Sequence, residues 1–151
     1  MRRIHLQFET QKPASDELHG AGLWVVRLRA HVRFVQPDDS VTAAFTAFVD
    51  TGAPASVIPR DLWVDLEPEV LIEDAPIIGV SKRRVCQIPA CFGVVQGELV
   101  DAEGNASGAR PFRAYLAKSD RVPLLVGFAD LLSEFPVHFD YRGREAWVEA
   151  P

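Results

Sequence analysis

The sequence predicts an all-β domain, and three observations carry that reading. Hydrophobicity recurs with period two from Val26 to Phe34, where Val26, Leu28, Ala30, Val32 and Phe34 alternate with Arg27, Arg29, His31 and Arg33, as in a strand with one wet face. Other short apolar segments follow one another, separated by turn clusters such as Gln36-Pro37-Asp38-Asp39-Ser40 and the run DAEGNASGAR from Asp101 to Arg110. Helical spacing is convincing in one place, Phe128, Leu131, Leu132 and Phe135 at i, i+3, i+4 and i+7, which predicts one short C-terminal helix. A chain of 151 residues with 48% hydrophobic and 25% charged residues fits a single domain, 1–151, with one core.

Taken in order, the strand at Val26 to Phe34 and the apolar run Val41 to Val49 form a hairpin around the Gln36–Ser40 turn, the second run reading as a strand covered on both faces. That run delivers Asp50-Thr51-Gly52-Ala53 where the chain must turn. Ala55-Ser56-Val57-Ile58 reads as a short strand and Pro59-Arg60-Asp61-Leu62-Trp63 as a turn or a single helical turn. Two apolar pieces, Ala75 to Val80 and Ile88 to Val100, flank the polar Ser81-Lys82-Arg83-Arg84, a solvated hairpin end. Alternation resumes from Pro111 to Ala117. A terminal hairpin joins Val137-His138-Phe139-Asp140-Tyr141 to Glu145-Ala146-Trp147-Val148 through Arg142-Gly143-Arg144, and Ile4, Leu6 and Phe8 alternate at the other end. No repeat is visible, which excludes a solenoid.

Composition removes several function classes. Lys plus Arg total 16 against 21 Asp plus Glu, a net charge of -5, the wrong sign for neutralising phosphates, so no nucleic acid partner is expected. The stretch from Pro123 to Leu132 is about half the ~20 residues needed to span a bilayer, and MRRIHLQFET lacks the apolar core of a secretory signal, so neither membrane nor export is expected. Two cysteines, Cys86 and Cys91, read as free thiols in a reducing, cytoplasmic location. Asn105-Ala106-Ser107 reads as a polar turn rather than a glycosylation site. The histidines show no HExxH-like spacing, and two cysteines cannot assemble a standard zinc site, so no metal and no cofactor are expected. GxSxG and P-loop signatures are missing too. Trp24, Trp63 and Trp147 read as core or interface packing.

Asp50-Thr51-Gly52-Ala53, preceded by Ala47-Phe48-Val49 and followed by Ser56-Val57-Ile58, resembles the active-site loop of the retropepsin-like aspartic proteases. Leu125-Val126-Gly127, followed by Asp130-Leu131-Leu132, is similar to that family's second signature, and Ile77-Ile78-Gly79-Val80 stands where the family carries its substrate-covering flap. The match spans roughly Val26 to Val148. It implies a retropepsin-like acid-protease barrel and an aspartic endopeptidase acting on a peptide or protein substrate. Such hydrolysis uses a water held between two carboxylates sharing a proton, because like charges a few ångströms apart do not both ionise cheaply. The chain has one Asp-Thr-Gly, so the resemblance implies a homodimer in which Asp50 of each copy meets at a two-fold axis.

By the same resemblance, Gly52 lets its own backbone and that of Ala53 donate to the carboxylate, Thr51 bonds across the axis, and Gly127 leaves room for the loop's packing. Ile77, Ile78, Gly79 and Val80 would wall the substrate site. The chain ends pair between subunits in the retroviral relatives; the alternative is that they complete a sheet within one subunit. A catalytically inactive dimerisation or peptide-binding module of the same fold is the competing reading, and Asp50→Asn separates the two.

Overall fold

The computed structural model describes residues 1–79 and 86–151. Eleven strands are present among them: β1 (Arg2–His5), β2 (Gln7–Gln11), β3 (Val25–Phe34), β4 (Phe45–Val49), β5 (Ser56–Ile58), β6 (Glu69–Ile72), β7 (Ala90–Val100), β8 (Arg110–Ala117), β9 (Leu125–Val126), β10 (Val137–Asp140) and β11 (Glu145–Ala150). The alternation in β3 sets its register: Ala30, Val32 and Phe34 are buried, whereas Arg27 stays exposed. β3 and β4 form the antiparallel hairpin, with Arg29 opposite Phe48 and Val32 opposite Phe45.

The larger sheet has eight strands in the order β2-β3-β4-β9-β5-β8-β7-β6, and a further pairing between β3 and β7 closes it into a barrel. That closure brings the backbones close at Gly97, where a Cβ would lie 2.8 Å from the Arg33 carbonyl oxygen and 3.2 Å from the Phe112 ring. Phe34 and Phe112 stack inside the barrel with centroids 6.3 Å apart, among buried Ile58, Leu99, Leu116, Val126 and Leu131. The fold is all-β.

A second sheet, β1-β11-β10, is made from the two chain ends. β1 lies antiparallel to β11 of its own chain, with Ile4 opposite Val148, so the ends complete a sheet within one subunit. Ile4, Ala146, Val148 and Ala150 turn inward and are buried. On the other face the Trp147 ring stacks on His138, centroids 4.9 Å apart, and carries the Arg3 guanidinium at 4.4 Å.

Several local features differ from the sequence expectation. Only Phe45–Val49 of the second apolar run is strand, and of these Ala47 alone is buried; Phe48 is half-buried beneath Arg27 and Arg29, at 4.7 and 5.2 Å from its ring. The helical segment after Gly127 consists of turns over 128–131 and a 3-10 helix, Leu132–Glu134. Asp130 has φ of 60°, which interrupts an α-helix, although Leu131, Leu132 and Phe135 still face the core. Two short α-helices lie elsewhere: α1 (Asp16–Gly20), capped by the Ser15 side chain accepting from the Leu18 amide, and α2 (Arg60–Trp63), within the segment read as a turn or single helical turn. Trp24 does not pack in the core; it is half exposed, with His19 edge-on at 5.0 Å.

The Asn105-Ala106-Ser107 segment is a turn built around Asp101, whose carboxylate accepts from the amides of Glu103 and Asn105, the Asn105 side chain and the His5 amide. Burial pushes the Asp101 carboxyl up, but these hydrogen bonds outweigh it and hold it below its ordinary value. Cys86 is exposed and Cys91 buried, both free thiols, with burial pushing the Cys91 thiol up. No helix among the described residues is long and apolar enough to cross a membrane.

Candidate active site

β4 ends at Val49, and Asp50 follows it as the chain turns. The Asp50 amide donates to the Val126 carbonyl at 2.9 Å, so the loop starts anchored to β9. The Gly52 amide donates to Asp50 Oδ1 at 2.9 Å. Ala53 does otherwise than expected: its amide reaches the Asp50 main-chain carbonyl at 3.2 Å, not the carboxylate. Asp50 Oδ2 has no hydrogen-bond partner among the described residues, and Thr51 is exposed. One carboxylate oxygen is therefore fixed by backbone, and the other is without a partner among the described residues.

The loop is clamped from behind. β9 runs parallel to β4 and antiparallel to β5, threading between the two strands that the loop joins, with Phe48 opposite Leu125, Val49 opposite Val126 and Val57 opposite Leu125. Just past β9, the amides of Phe128 and Ala129 donate to the carbonyls of Ala53 and Pro54 at 3.0 and 2.9 Å. The approach at Gly127 is so close that a Cβ there would lie 2.5 Å from the Ala55 carbonyl carbon and oxygen. The Gly127 amide donates to Ser56 Oγ at 3.1 Å, and Ser56 is 1% exposed. Ser56 was not singled out by sequence reasoning; the available signal is a hydroxyl inside an otherwise apolar Ala55–Ile58 strand, which must find a partner once buried.

Asp130 ties the far end of this turn to β8. Its carboxylate accepts from the Arg113 amide at 2.9 Å and Nε at 2.8 Å, and from Nη2 at 3.0 Å. The hydrogen-bonded Arg113 side chain holds the Asp130 carboxyl below the ordinary carboxylate value.

Two apolar pockets meet at Asp50. One, of about 560 Å³, runs from Gly52, Ala53, Ala55 and Val57 to Pro76, Ile77, Ile78 and Gly79, with Tyr115 and Leu125 alongside. The other, of about 460 Å³, is walled by Phe8, Val26, Leu28, Phe48, Phe139 and Tyr141, with Arg27 its one cation among the described residues. Asp50 and Leu125 belong to both. The Ile77–Gly79 segment is carried by a hairpin stem in which Ile77 and Ile88 exchange backbone hydrogen bonds at 2.8 and 3.1 Å and Ala75 donates to Ala90 at 2.9 Å. Ile78 is 56% exposed, and among the described residues no atom lies within 4 Å of the space a Gly79 side chain would take. Val80, the fourth expected flap residue, lies outside the described residues, as does the Ser81-Lys82-Arg83-Arg84 run.

The structure thus brings Asp50, Thr51, Gly52, Ala53, Gly127, Ile77, Ile78 and Gly79 around one acid. His5, Asp101 and Glu103 also gather ligand-type atoms within 4.8 Å of one another, but the Asp101 oxygens are already taken by its turn.

A closed barrel whose acid-bearing loop is threaded by a later strand and faced by a hairpin defines the class, the retropepsin-like all-β fold. The solved structure of a retropepsin-like aspartic protease from Rickettsia conorii is similar over 99% of this chain and 96% of that one, with a TM-score of 0.53 and 12% sequence identity. At that identity the likeness is one of fold. No family model and no curated protein matches the chain.

Proposed function

We propose that the protein is an aspartic endopeptidase whose active site is shared by two copies of the chain. The observation that carries this reading is Asp50, held on a clamped loop by the Gly52 amide at 2.9 Å and standing where two apolar pockets meet. In the proposed reaction the two Asp50 carboxylates share one proton and hold a water between them. One takes a proton from the attacking water while the other protonates the substrate, so the scissile amide passes through a tetrahedral intermediate and leaves as acid and amine. An extended peptide would lie across Asp50 with apolar side chains in the pockets on either side, under Ile77, Ile78 and Gly79. Thr51, exposed at the loop tip, would meet its counterpart in the second copy. No cofactor enters this chemistry.

The test is cleavage of a diverse peptide library from pH 4 to 7 by the wild type and by Asp50→Asn. The wild type should cut at apolar sites with a bell-shaped pH profile belonging to the pair. The variant, isosteric at a half-exposed position, should fold normally and lose at least on the order of 10²–10⁴ in rate. Cleavage that persists in Asp50→Asn sinks the reading, and peptide binding without cleavage by the wild type replaces it with the inactive module.

A further inference from the structure

One face of β3 carries Arg27, Arg29, His31 and Arg33, and its three arginines differ in what they meet. Arg29 is ion-paired with Glu9, and Arg33 Nε lies 2.7 Å from Glu98 Oε1. Arg27 is exposed and forms no ion pair with any described residue. A ring holds it instead: its guanidinium lies 4.7 Å from the centre of Phe48, a contact that uses none of its N–H donors. Arg29 stands opposite Phe48, and the same register carried two residues further sets Arg27 at the level of Asp50. Both line the pocket of about 460 Å³.

We infer that Arg27 selects the substrate, favouring peptides that carry an acidic side chain, Asp or Glu, close to the apolar residue that fills this pocket. The inference rests on the peptidase reading above and names the chemistry of what that site takes. Phe8, Leu28, Phe48 and Phe139 call for apolar bulk, and Arg27 calls for an anion beside it. The ring of Tyr141, another wall, carries the Arg144 guanidinium at 4.2 Å, which adds a second positive charge near the rim. The pocket on the other side of the acid is lined by no charged residue but Asp50 among the described residues, so the cation marks one side only.

Charge makes this placement informative. The chain carries a net charge of -5 and Asp50 shares the pocket, so without an arginine the field there would repel an acidic peptide. A carboxylate meets a guanidinium in charge-assisted, often bidentate hydrogen bonds, and apolar walls reduce the screening around them. Alternate side chains of an extended peptide share a face, which lets one strand offer an apolar and an acidic group to the same wall.

The experiment compares paired peptides, apolar around the cut and carrying Glu or Gln at each remaining position in turn. The two side chains are isosteric, so each pair reads charge alone. At neutral pH the wild type should cut the Glu member at least about tenfold faster in kcat/KM at a favoured position. That ratio should fall with added salt, and fall again below about pH 4, where the peptide carboxyl takes up a proton and Arg27 keeps its charge. Arg27→Gln should bring the ratio to about one, and Arg27→Glu should turn the preference toward a Lys member. Both variants should unfold near the wild-type temperature, since the position is exposed.

Equal cleavage of Glu and Gln members at every position, or a preference that survives Arg27→Gln, overturns the inference and leaves the peptidase standing. An Arg27→Gln protein that slows both members alike and dimerises more weakly in sedimentation also overturns it, because Arg27 then serves the second copy rather than the substrate. If nothing is cut, the same pairs are labelled and their binding to Asp50→Asn, with and without Arg27→Gln, is followed by fluorescence anisotropy. A charge preference that Arg27→Gln removes keeps the role of Arg27 and sinks the peptidase, whereas equal binding or none sinks both.

Discussion

The segments 53–55 and 76–78 border the same pocket beside Asp50, yet the chain holds them, with their neighbours Ser56 and Ala75, by different means. Behind the acid, Ala53 and Pro54 receive backbone hydrogen bonds from the turn after β9, Ala55 and Ser56 are buried, and Gly127 sits so close that a Cβ has no room. In front of it, Ala75, Pro76 and Ile77 are half-buried, Ile78 is exposed, and the stem is held by three backbone hydrogen bonds to Ile88 and Ala90. Burial and ladder bonding set local stability, so the two walls differ in how much free energy is needed to open them. A site that admits a peptide needs this asymmetry: the acid must stay within a few tenths of an ångström of its place, while something above it must yield.

The largest effect that should break the comparison is at the clamp. Gly127→Ala forces atoms into a 2.5 Å contact with the Ala55 backbone, not with a side chain that can swing away. The expected cost is about 1–3 kcal/mol or more in urea unfolding, with loss of any cleavage activity, since the loop bearing Asp50 must shift. A variant of wild-type stability would show that the clamp is softer than its packing implies.

Asp130→Asn should act less strongly and through charge. Asn tolerates a φ of 60°, so the backbone is kept while the ion pair with Arg113 is lost. Both partners are partly exposed, and the expected loss at neutral pH is below about 1 kcal/mol. Because the folded Asp130 carboxyl is held below its ordinary value, its contribution is present above about pH 4 and fades as pH falls through the folded value. The stability difference between wild type and Asp130→Asn should therefore shrink on acidification; a difference that grows would contradict the assignment.

At the other wall, Ile78→Ala should leave unfolding within about 0.5 kcal/mol of wild type, because Ile78 contributes little to the core. In a peptide assay it should raise KM and change kcat less, as expected for a residue that grips the substrate without touching the reacting atoms. An unfolding change as large as that of Gly127→Ala would erase the distinction between the two walls.

The same contrast separates what the sequence made legible from what it did not. Period-two alternation placed β3 and β8, because one wet face leaves a strong mark, and the apolar run ending at Val49 placed Asp50-Thr51-Gly52 at a turn, whereas β9 at Leu125–Val126 was not read as a strand. The hydrogen bond from Gly127 to Ser56, 71 residues apart, left no local mark, nor did the β3–β7 closure, since long-range pairing is set by the whole barrel. The bend at Asp130 was hidden too, because its helical spacing survives in Leu131, Leu132 and Phe135 while the backbone turns left-handed to meet Arg113. α1 was legible in principle from Ser15 followed by Asp16 and Glu17, a capping signal in a segment with few apolar residues to draw notice.

The central claim is that one active site takes an Asp50 from each of two chains, and the most direct measurement mixes them. Wild type at a fixed concentration is titrated with Asp50→Asn protein, the subunits are allowed to exchange, and peptide cleavage is followed. Mixed dimers carry one carboxylate, so activity should fall steadily and approach zero at large excess of the variant. Activity that stays constant, or that rises with added variant, would mean that a single chain's Asp50 suffices or is not used, and would contradict the shared site.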